Sequence, residues 1–295
     1  MPQLSIAIVA GLGGMLGWGL ADFFAKKTID ELGDVATLFW SLLIGSVPLG
    51  LLFLTNPVVP EKLTGAGGQG FLYLGVLGVW SALSYLPLYA GFGKGKVTLL
   101  SPVFASYAAV VVIISAALFG ETLSVNHLAV LALIFVGIVF ITGDIKSLWS
   151  AAARREPVGG LKEILLAVAL YAPWLVALDR FIGGEYWVPY LLGIRIVSAF
   201  TVFCYTRVRR ISLAVRQRSL WKYLCAIAFA DVTAFAFLSW GYSASSSISI
   251  ITMLSAAFSL PTMILAILFL KEKVTRSQLL GGLIVVAGAM VLPLV

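Results

Sequence analysis

The chain has 295 residues, of which 61% are hydrophobic and only 11% are charged, and its formal net charge is +7. Soluble proteins are about 25% charged, so these residues cannot provide the polar surface of a water-soluble globule. The composition excludes a soluble enzyme and a disordered protein, and the scattered basic residues form no single face for nucleic acid. A mean hydropathy of +1.05 instead indicates an integral membrane protein.

Ten apolar segments follow one another along the chain, each close in length to the 20 or so helical residues that cross a bilayer. The connections between them are mostly short and contain turn-forming residues, without the every-second-residue alternation of membrane β-strands. The predicted fold is therefore an all-α integral membrane protein with ten transmembrane helices. The segments cover residues 4–25, 35–54, 71–92, 97–119, 125–142, 161–178, 187–206, 220–242, 247–270 and 276–294.

The longest polar stretch lies between the fifth and sixth segments and has the composition of a linker. It divides the chain into two sets of five helices, which we place at residues 1–146 and 161–295, with the linker at 147–160. Because each set has an odd number of spans, the second enters the bilayer in the opposite orientation to the first. The sequence therefore predicts two inverted five-helix repeats, an architecture typical of secondary transporters.

A shift of 151 positions superimposes the third to fifth segments on the eighth to tenth without a gap, and pairs Glu121 with Glu272. Each of these glutamates ends a span just before the next helix begins. We predict that both carboxylates are structural and accept hydrogen bonds from the first backbone amides of the helix that follows. Thr122 and Thr275 are the predicted caps of those helices.

Charged residues are rare inside the spans, and two of them lie near the centres of adjacent segments. Arg195 and Asp231 are each about ten residues into their segments, so at about 1.5 Å per residue they share a depth near the midplane. A bare charge there costs about 2.5 to 3.5 kcal/mol on insertion scales, so the two side chains are expected to face a cavity or each other. Asp22 and Asp179 lie close to the ends of the first and sixth segments.

The counterparts of this charged pair in the first half, Trp40 and Trp80, are uncharged. A charged pair added to one half of a symmetric scaffold is more simply explained by a substrate or a proton than by folding, although a structural ion pair is the alternative. We predict that Arg195 holds an anionic group, a carboxylate, and that Asp231 balances its charge when the site is empty.

Six aromatic residues inside the spans complete the predicted substrate site. An aromatic near the end of a span is usually an interface anchor, whereas one nearer the centre can form the wall of an apolar binding pocket. The six are Trp18, Tyr85, Tyr89, Tyr171, Trp174 and Trp240. Small residues such as Gly13 and Gly17 are predicted to serve helix packing.

The sequence shows no motif of enzyme chemistry. It contains neither HExxH nor GxSxG, and its single histidine, His127, starts the fifth segment, where a surface role is expected. The GxGxxG match at Gly65–Gly70 lies between two spans and follows no strand, so a loop is predicted there. We therefore predict no catalytic residue, no metal and no cofactor.

The fourth and fifth segments carry a family resemblance. The stretch LLSPVFASYAAVVVIISAALFGETLSVNHLAVLALIFVGIVFITG resembles the matching signature of EamA-type transporters in the drug/metabolite transporter superfamily, with Pro102, Gly120, Glu121 and Gly137 at the familiar spacing. The second half repeats this pattern less faithfully as FLKEKVTRSQLLGGLIVVAGAMVL. The resemblance implies a ten-helix, two-repeat carrier of small organic solutes, and it does not name the substrate.

We therefore expect a secondary active transporter, an exporter or exchanger of small organic metabolites such as amino acids, and not an enzyme. One alternative is a flippase or carrier for a lipid-linked or sugar-nucleotide substrate, which predicts a lateral opening lined by basic residues. The other is a membrane-embedded lipid-modifying enzyme, which needs a second carboxylate at the depth of Asp231, and none is expected there. The expected partners are a small-molecule substrate, protons as the coupling ion and the lipid bilayer, with no nucleic acid, in a monomer or homodimer.

The distribution of basic residues predicts the orientation in the membrane. The loops that follow the odd-numbered segments, counted together with the first three residues of the next segment, hold 17 of the 20 Lys and Arg residues. The positive-inside rule places those loops in the cytoplasm and both termini outside it. The expected location is a prokaryotic inner or plasma membrane. EamA-type proteins are often drawn with cytoplasmic termini, so the charge count of this chain predicts the reverse.

Overall fold

The computed structural model describes residues 2–64, 68–119, 124–142, 158–182, 185–244, 248–291 and 294. Within these residues the chain forms thirteen helices and no strand. In chain order the helices are α1 (Pro2–Leu32), α2 (Asp34–Thr55), α3 (Glu61–Thr64), α4 (Gln69–Lys94), α5 (Val97–Ala105), α6 (Tyr107–Phe119), α7 (Val125–Thr142), α8 (Leu161–Ile182), α9 (Val188–Arg209), α10 (Leu220–Ala244), α11 (Ile248–Ala256), α12 (Ser259–Phe269) and α13 (Arg276–Val291).

Seven stretches of the described helices are long and apolar enough to cross a membrane. Three shorter apolar stretches, Val125–Phe140, Leu254–Phe269 and Arg276–Val291, correspond in position to the fifth, ninth and tenth predicted segments. Large apolar side chains such as Leu54 and Phe200 remain exposed on the outer faces of these helices. The protein is therefore an integral, multi-pass membrane protein whose apolar outer surface meets lipid.

The first helix is longer than predicted. α1 continues past residue 25 to Leu32. In this added part of the helix, Lys26 forms a salt bridge with Asp30 one turn later (2.8 Å) and donates a hydrogen bond to the Phe92 carbonyl (2.8 Å). Polar residues that end the apolar segment thus continue the helix. As a result, Asp22 lies well inside α1. The prediction from hydropathy that it lies close to the end of the helix is wrong.

The fourth and ninth predicted segments are each broken in the middle. Ser106 separates α5 from α6, and Ala257 with Phe258 separates α11 from α12. The shift of 151 positions brings Ser106 onto Ala257, so the two breaks occupy matching places. Pro102 precedes the first break, but Met253 stands at the matching position before the second. A proline at that position is therefore not required for the break.

Helices of the first half pack mainly against helices of the second. α1 packs along α10, α4 along α8, α2 along α9 and α7 along α13. As predicted, Gly13 and Gly17 serve this packing, because a methyl group on Gly17 would stand 2.7 Å from the Ala230 carbonyl oxygen of α10. Much of the packed interior therefore lies between the halves.

The helices α7 and α13 make reciprocal contacts. A methyl group on Gly137 would stand 2.7 Å from a Val285 methyl carbon, and one on Gly288 would overlap Ile134. The shift of 151 positions exchanges these two contacts, because it moves Ile134 onto Val285 and Gly137 onto Gly288. Later residues of α7 meet earlier residues of α13, so the two helices run antiparallel.

Glu272, just after α12, binds the start of α5. One carboxylate oxygen accepts a hydrogen bond from the Val97 amide (3.0 Å), and the other accepts from the amide (2.9 Å) and hydroxyl (2.6 Å) of Thr98. The prediction that this carboxylate binds the helix that follows it is wrong, although Thr275 caps that helix as predicted. Glu272 instead caps a helix of the other half, whose N-terminal dipole favours a negative charge.

Some of the predicted features lie outside the described residues. These are Glu121, Thr122 and most of the predicted linker, residues 147–157. The predictions made for them remain predictions.

Candidate binding cavity

A cavity of about 90 Å³ lies between the two halves of the chain. Helices α1, α2, α4, α5 and α6 supply part of its lining, and α8, α9, α10 and Phe258 supply the rest. The two helix breaks border it, since Phe104 and Tyr107 flank the first break and Phe258 belongs to the second. Of the described residues, those of α7 and α13 do not take part in the lining.

The ion pair predicted from depth is present in the wall of this cavity. Arg195 of α9 and Asp231 of α10 form a salt bridge through Nη2 of the guanidinium and Oδ2 of the carboxylate. Their side chains are only 11% and 19% exposed, so the ion pair is largely buried. Removing one partner would leave the other charge unpaired in a poorly solvated place. Each side chain therefore stabilises the charged form of the other.

Gly45 makes room for this pair. Both α9 and α10 pack against α2, and the Arg195 side chain passes α2 at Gly45. A methyl group on Gly45 would overlap Nη1 of Arg195 and stand 3.2 Å from its Cζ. Gly45 therefore positions Arg195 by having no side chain.

A second carboxylate, that of Asp22 on α1, lines the same cavity. It accepts a hydrogen bond from the Ser101 hydroxyl of α5 at 2.8 Å, and no cation of the described residues forms a salt bridge with it. The expectation that Asp231 has no carboxylate neighbour in its site is therefore wrong, because the extra length of α1 places Asp22 inside the bundle. Asp179 is exposed near the end of α8, as predicted.

Tyrosine rings form much of one wall. Tyr85 and Tyr89 of α4 and Tyr171 of α8 line the cavity, where they were predicted. The Tyr171 ring centre lies 5.9 Å from that of Tyr85, 4.9 Å from that of Tyr107 and 5.2 Å from that of Phe104. These edge-on and tilted contacts hold the rings in place around an apolar space.

Trp18 belongs to a second aromatic group. Its ring centre lies 5.4 Å from that of Phe235 and 6.1 Å from that of Phe258, both edge-on, and all three residues line the cavity. The shift of 151 positions moves Tyr107 onto Phe258. The two aromatic groups therefore include one pair of matching positions from the two halves.

The two remaining predicted tryptophans differ in position. Trp174 lines the cavity, and its indole N–H also donates to the Leu77 carbonyl at 2.9 Å, which ties α8 to α4. Trp240 is 45% exposed and lines an outer groove between α2 and α10. It follows Asp231 by nine residues, half a turn further round the helix, and so lies on the opposite face. Its predicted place among the cavity residues is therefore wrong.

Some site residues could have been found from helical spacing. Asp22 follows Trp18 by four residues, and Phe235 follows Asp231 by four, so each pair shares one face of its helix. No such signal exists for Gly45, whose role depends on which helices pack together.

The cavity combines one guanidinium and two carboxylates with aromatic walls, which suits a small molecule with charged and apolar parts. No group of three or more His, Cys, Asp or Glu side chains able to hold a metal ion occurs in the part of the chain that the structure describes. The charged and aromatic lining of the cavity favours binding of an organic solute.

Comparison with solved structures supports the fold. One crystal structure aligns with 98% of this chain and 97% of its own, with a TM-score of 0.66 at 15% identity, and it is among 28 solved chains that match. At that identity the likeness shows the fold alone. No curated protein sequence matches the chain.

The family comparison covers nearly the whole chain. The model of the EamA-like transporter family matches it twice, at residues 5–143 and 160–293, and the division falls in the polar stretch. Members of this family are membrane transporters within the drug/metabolite transporter superfamily. The chain therefore belongs to the EamA-like transporter family.

Proposed function

We propose that this protein is a secondary active transporter that exports or exchanges a small organic metabolite with a carboxylate group, by alternating access. The observation that carries the proposal is the Arg195–Asp231 ion pair in the wall of a cavity lined by both halves. Carriers built from repeats hold their substrates where the repeats meet. Membership of a transporter family supports the same conclusion.

Helix packing supports two inverted repeats. α7 and α13 run antiparallel and exchange their contacts under the shift of 151 positions. α2 and α9 also run antiparallel, because Phe39 contacts Phe203 whereas the later Gly45 contacts the earlier Arg195. Matching helices that run antiparallel belong to repeats of opposite orientation, related by an axis in the membrane plane.

The lengths of the shorter helices support ten spans. α7 has 18 residues and α13 has 16, which at about 1.5 Å per residue gives roughly 27 and 24 Å. These lengths approach the thickness of about 30 Å of the hydrocarbon core. α11 and α12 together cover residues 248–269, enough for one broken span.

Exchange of partners at Arg195 accounts for the binding step. In the empty carrier Asp231 neutralises the guanidinium, and a substrate carboxylate takes its place, since a guanidinium can donate two parallel hydrogen bonds to a carboxylate. The present cavity of about 90 Å³ is smaller than the roughly 300 to 1,000 Å³ of most small-molecule sites. The two halves therefore part on one side of the membrane to admit the substrate.

Protons are the proposed coupling ion. While Asp231 is paired with Arg195, its charge is already balanced, so proton uptake requires that the pair part during the cycle. The proposed setting is a prokaryotic inner or plasma membrane, with the protein as a monomer or homodimer.

The two alternatives receive unequal support. A flippase needs a lateral opening lined by basic residues, but the groove between α2 and α10 has an apolar lining without a basic residue among those described. A lipid-modifying enzyme needs paired carboxylates, and Asp22 does supply a second one in the cavity. Because Asp231 is bound to Arg195, we place transport ahead of catalysis.

A ligand screen followed by a flux measurement tests the proposal. Amino acids, sugars and nucleotides are first screened by thermal shift on the purified chain, since a ligand of the folded state stabilises it. Each ligand found is then tested for counterflow of its labelled form into proteoliposomes, with Arg195→Gln as the matched control. We expect counterflow that the control loses. Binding without counterflow, or a chemically altered product, would contradict transport.

A further inference from the structure

The cavity contains more acidic than basic side chains. Its described lining contains two carboxylates, those of Asp22 and Asp231, and one guanidinium, that of Arg195. Because Asp231 is bound to Arg195, the carboxylate of Asp22 is left without a cationic partner among the described residues. The one side-chain hydrogen bond described for Asp22 comes from Ser101.

A carboxylate in a poorly solvated place is stabilised either by taking up a proton or by a compensating positive charge. Ser101 is fully buried, and its hydroxyl donates to Oδ2 of Asp22, which orients the carboxylate but adds no charge. An ammonium group would supply one positive charge and three N–H donors to the acceptor oxygens that remain. The chemistry of the Asp22–Ser101 pair therefore fits a primary amine.

The two charged positions come from different halves of the chain. Asp22 is on α1 and Arg195 is on α9, and both line one cavity whose walls are largely aromatic. A ligand with an ammonium group, a carboxylate and an apolar side chain would match all three features. A sugar has no charge for either position, and the phosphates of a nucleotide would be repelled by Asp22.

We propose that Asp22 and Ser101 form the ammonium subsite of the carrier, and that its substrate is an α-amino acid with an apolar side chain. The inference rests on the proposed function. Arg195 binds the carboxylate of the amino acid, Asp22 binds its ammonium group, and the side chain packs against the tyrosine wall around Tyr171. A bound amino acid thus connects the two halves.

The test compares each ligand with analogues that lack one charged group. The probes are L-leucine, L-methionine and L-phenylalanine, their deaminated acids (4-methylpentanoate, 4-(methylthio)butanoate and 3-phenylpropanoate) and the matching decarboxylated amines. Binding to the purified full chain is measured by isothermal titration calorimetry at neutral pH. We expect at least one amino acid to bind about 10- to 100-fold more tightly than its deaminated acid, because the acid leaves Asp22 unpaired.

The variant Asp22→Asn assigns that preference to the residue. It keeps an acceptor for Ser101 but removes the charge, so the amino acid and its deaminated acid should bind within about 3-fold of each other. Asp22→Glu should retain the preference. If Asp22→Asn does not fold, the comparison of ligands on the unaltered chain still tests whether the site prefers an ammonium group.

The outcomes separate this inference from the proposed function. Equal binding of an amino acid and its deaminated acid would overturn the ammonium subsite while leaving an anion carrier intact. Binding of none of the three amino acids to the folded chain would also overturn it. The proposed function would fail on a different result: no compound found in the screen would undergo counterflow.

Discussion

Gly45 of α2 leaves the space that the guanidinium of Arg195 occupies, and a methyl group there would overlap Nη1. Gly45→Ala should therefore displace Arg195 and weaken its bond to Asp231. Because the clash is with the end of a flexible side chain, and alanine favours a helix by about 1 kcal/mol over glycine, we expect near-normal folding. Ligand affinity should fall about 10-fold, as measured by calorimetry.

Gly50 provides the matched control for this prediction. It lies on the same helix, and a methyl group there would meet nothing within 4 Å. Gly50→Ala should leave affinity unchanged, and it has the same gain in helix propensity as Gly45→Ala. Equal effects of the two substitutions would show that Gly45 acts through α2 and not through Arg195.

Charge removal at the ion pair separates binding from folding. Arg195→Gln and Asp231→Asn each leave a largely buried charge unpaired, which typically costs about 3 to 5 kcal/mol, so both should have a lower melting temperature. The double variant should regain thermal stability because no unpaired charge remains. It should still not transport, since the guanidinium that holds the substrate carboxylate is gone.

Full transport by the double variant would make the pair purely structural. The substrate would then have to be bound by the aromatic groups around Tyr171 and Trp18 instead. Counterflow in proteoliposomes and thermal unfolding in detergent give the two measurements.

Glu272→Gln should reduce stability more than affinity. The substitution removes the negative charge from three hydrogen bonds at the start of α5, an effect of about 1 to 2 kcal/mol. We expect a lower yield of folded protein but unchanged ligand affinity of the protein that folds. Glu163→Gln, which removes an ion pair between Glu163 and the exposed Lys94, is the control and should have little effect. A loss of affinity alone would assign Glu272 to binding or gating.

Trp18 and Trp240 should differ although both were predicted to bind substrate. Trp18→Leu removes a ring from the cavity and should weaken ligand binding about 10-fold, whereas Trp240→Leu alters only the outer groove and should not. Titration of both purified variants with one ligand measures the difference. An equal loss in the two would argue against this cavity as the binding site.

Both termini are predicted to lie outside the cytoplasm. Basic residues at the ends of odd-numbered spans, or just after them, meet at one end of the molecule: Lys26 binds the Phe92 carbonyl, and Lys96 binds the Lys273 carbonyl. A C-terminal reporter that is fluorescent only in the cytoplasm should stay dark. The same reporter fused after Arg210 of a shortened chain should fluoresce. Fluorescence from the C-terminal fusion would reverse the orientation.

Depth along a helix was predictable from sequence, whereas partners across the bundle were not. Arg195 and Asp231 could be paired because the number of residues into a span sets the depth of each. Asp22 was misplaced because hydropathy reports where a segment leaves the lipid, and α1 continues for about two further turns of polar residues.

The partner of Glu272 shows the same limit. The residues next to it in sequence indicated a cap for the next helix, and Thr275 fulfils that role. The amides that Glu272 binds belong to Val97 and Thr98, which become its neighbours only when the two halves pack together. Local capping patterns carry no information about such a contact.

The bond between Glu272 and Thr98 joins residues 174 positions apart, which has a consequence for synthesis. A ribosome that works from the N-terminus releases α5 long before Glu272 has been translated. Until then the first amides of α5 have to bind water or lipid headgroups. We expect the first half to be inserted as an incomplete unit that becomes fully ordered only when the last two spans arrive. Packing of the two halves against each other is then a late step of folding, which takes place after most of the chain is already in the membrane.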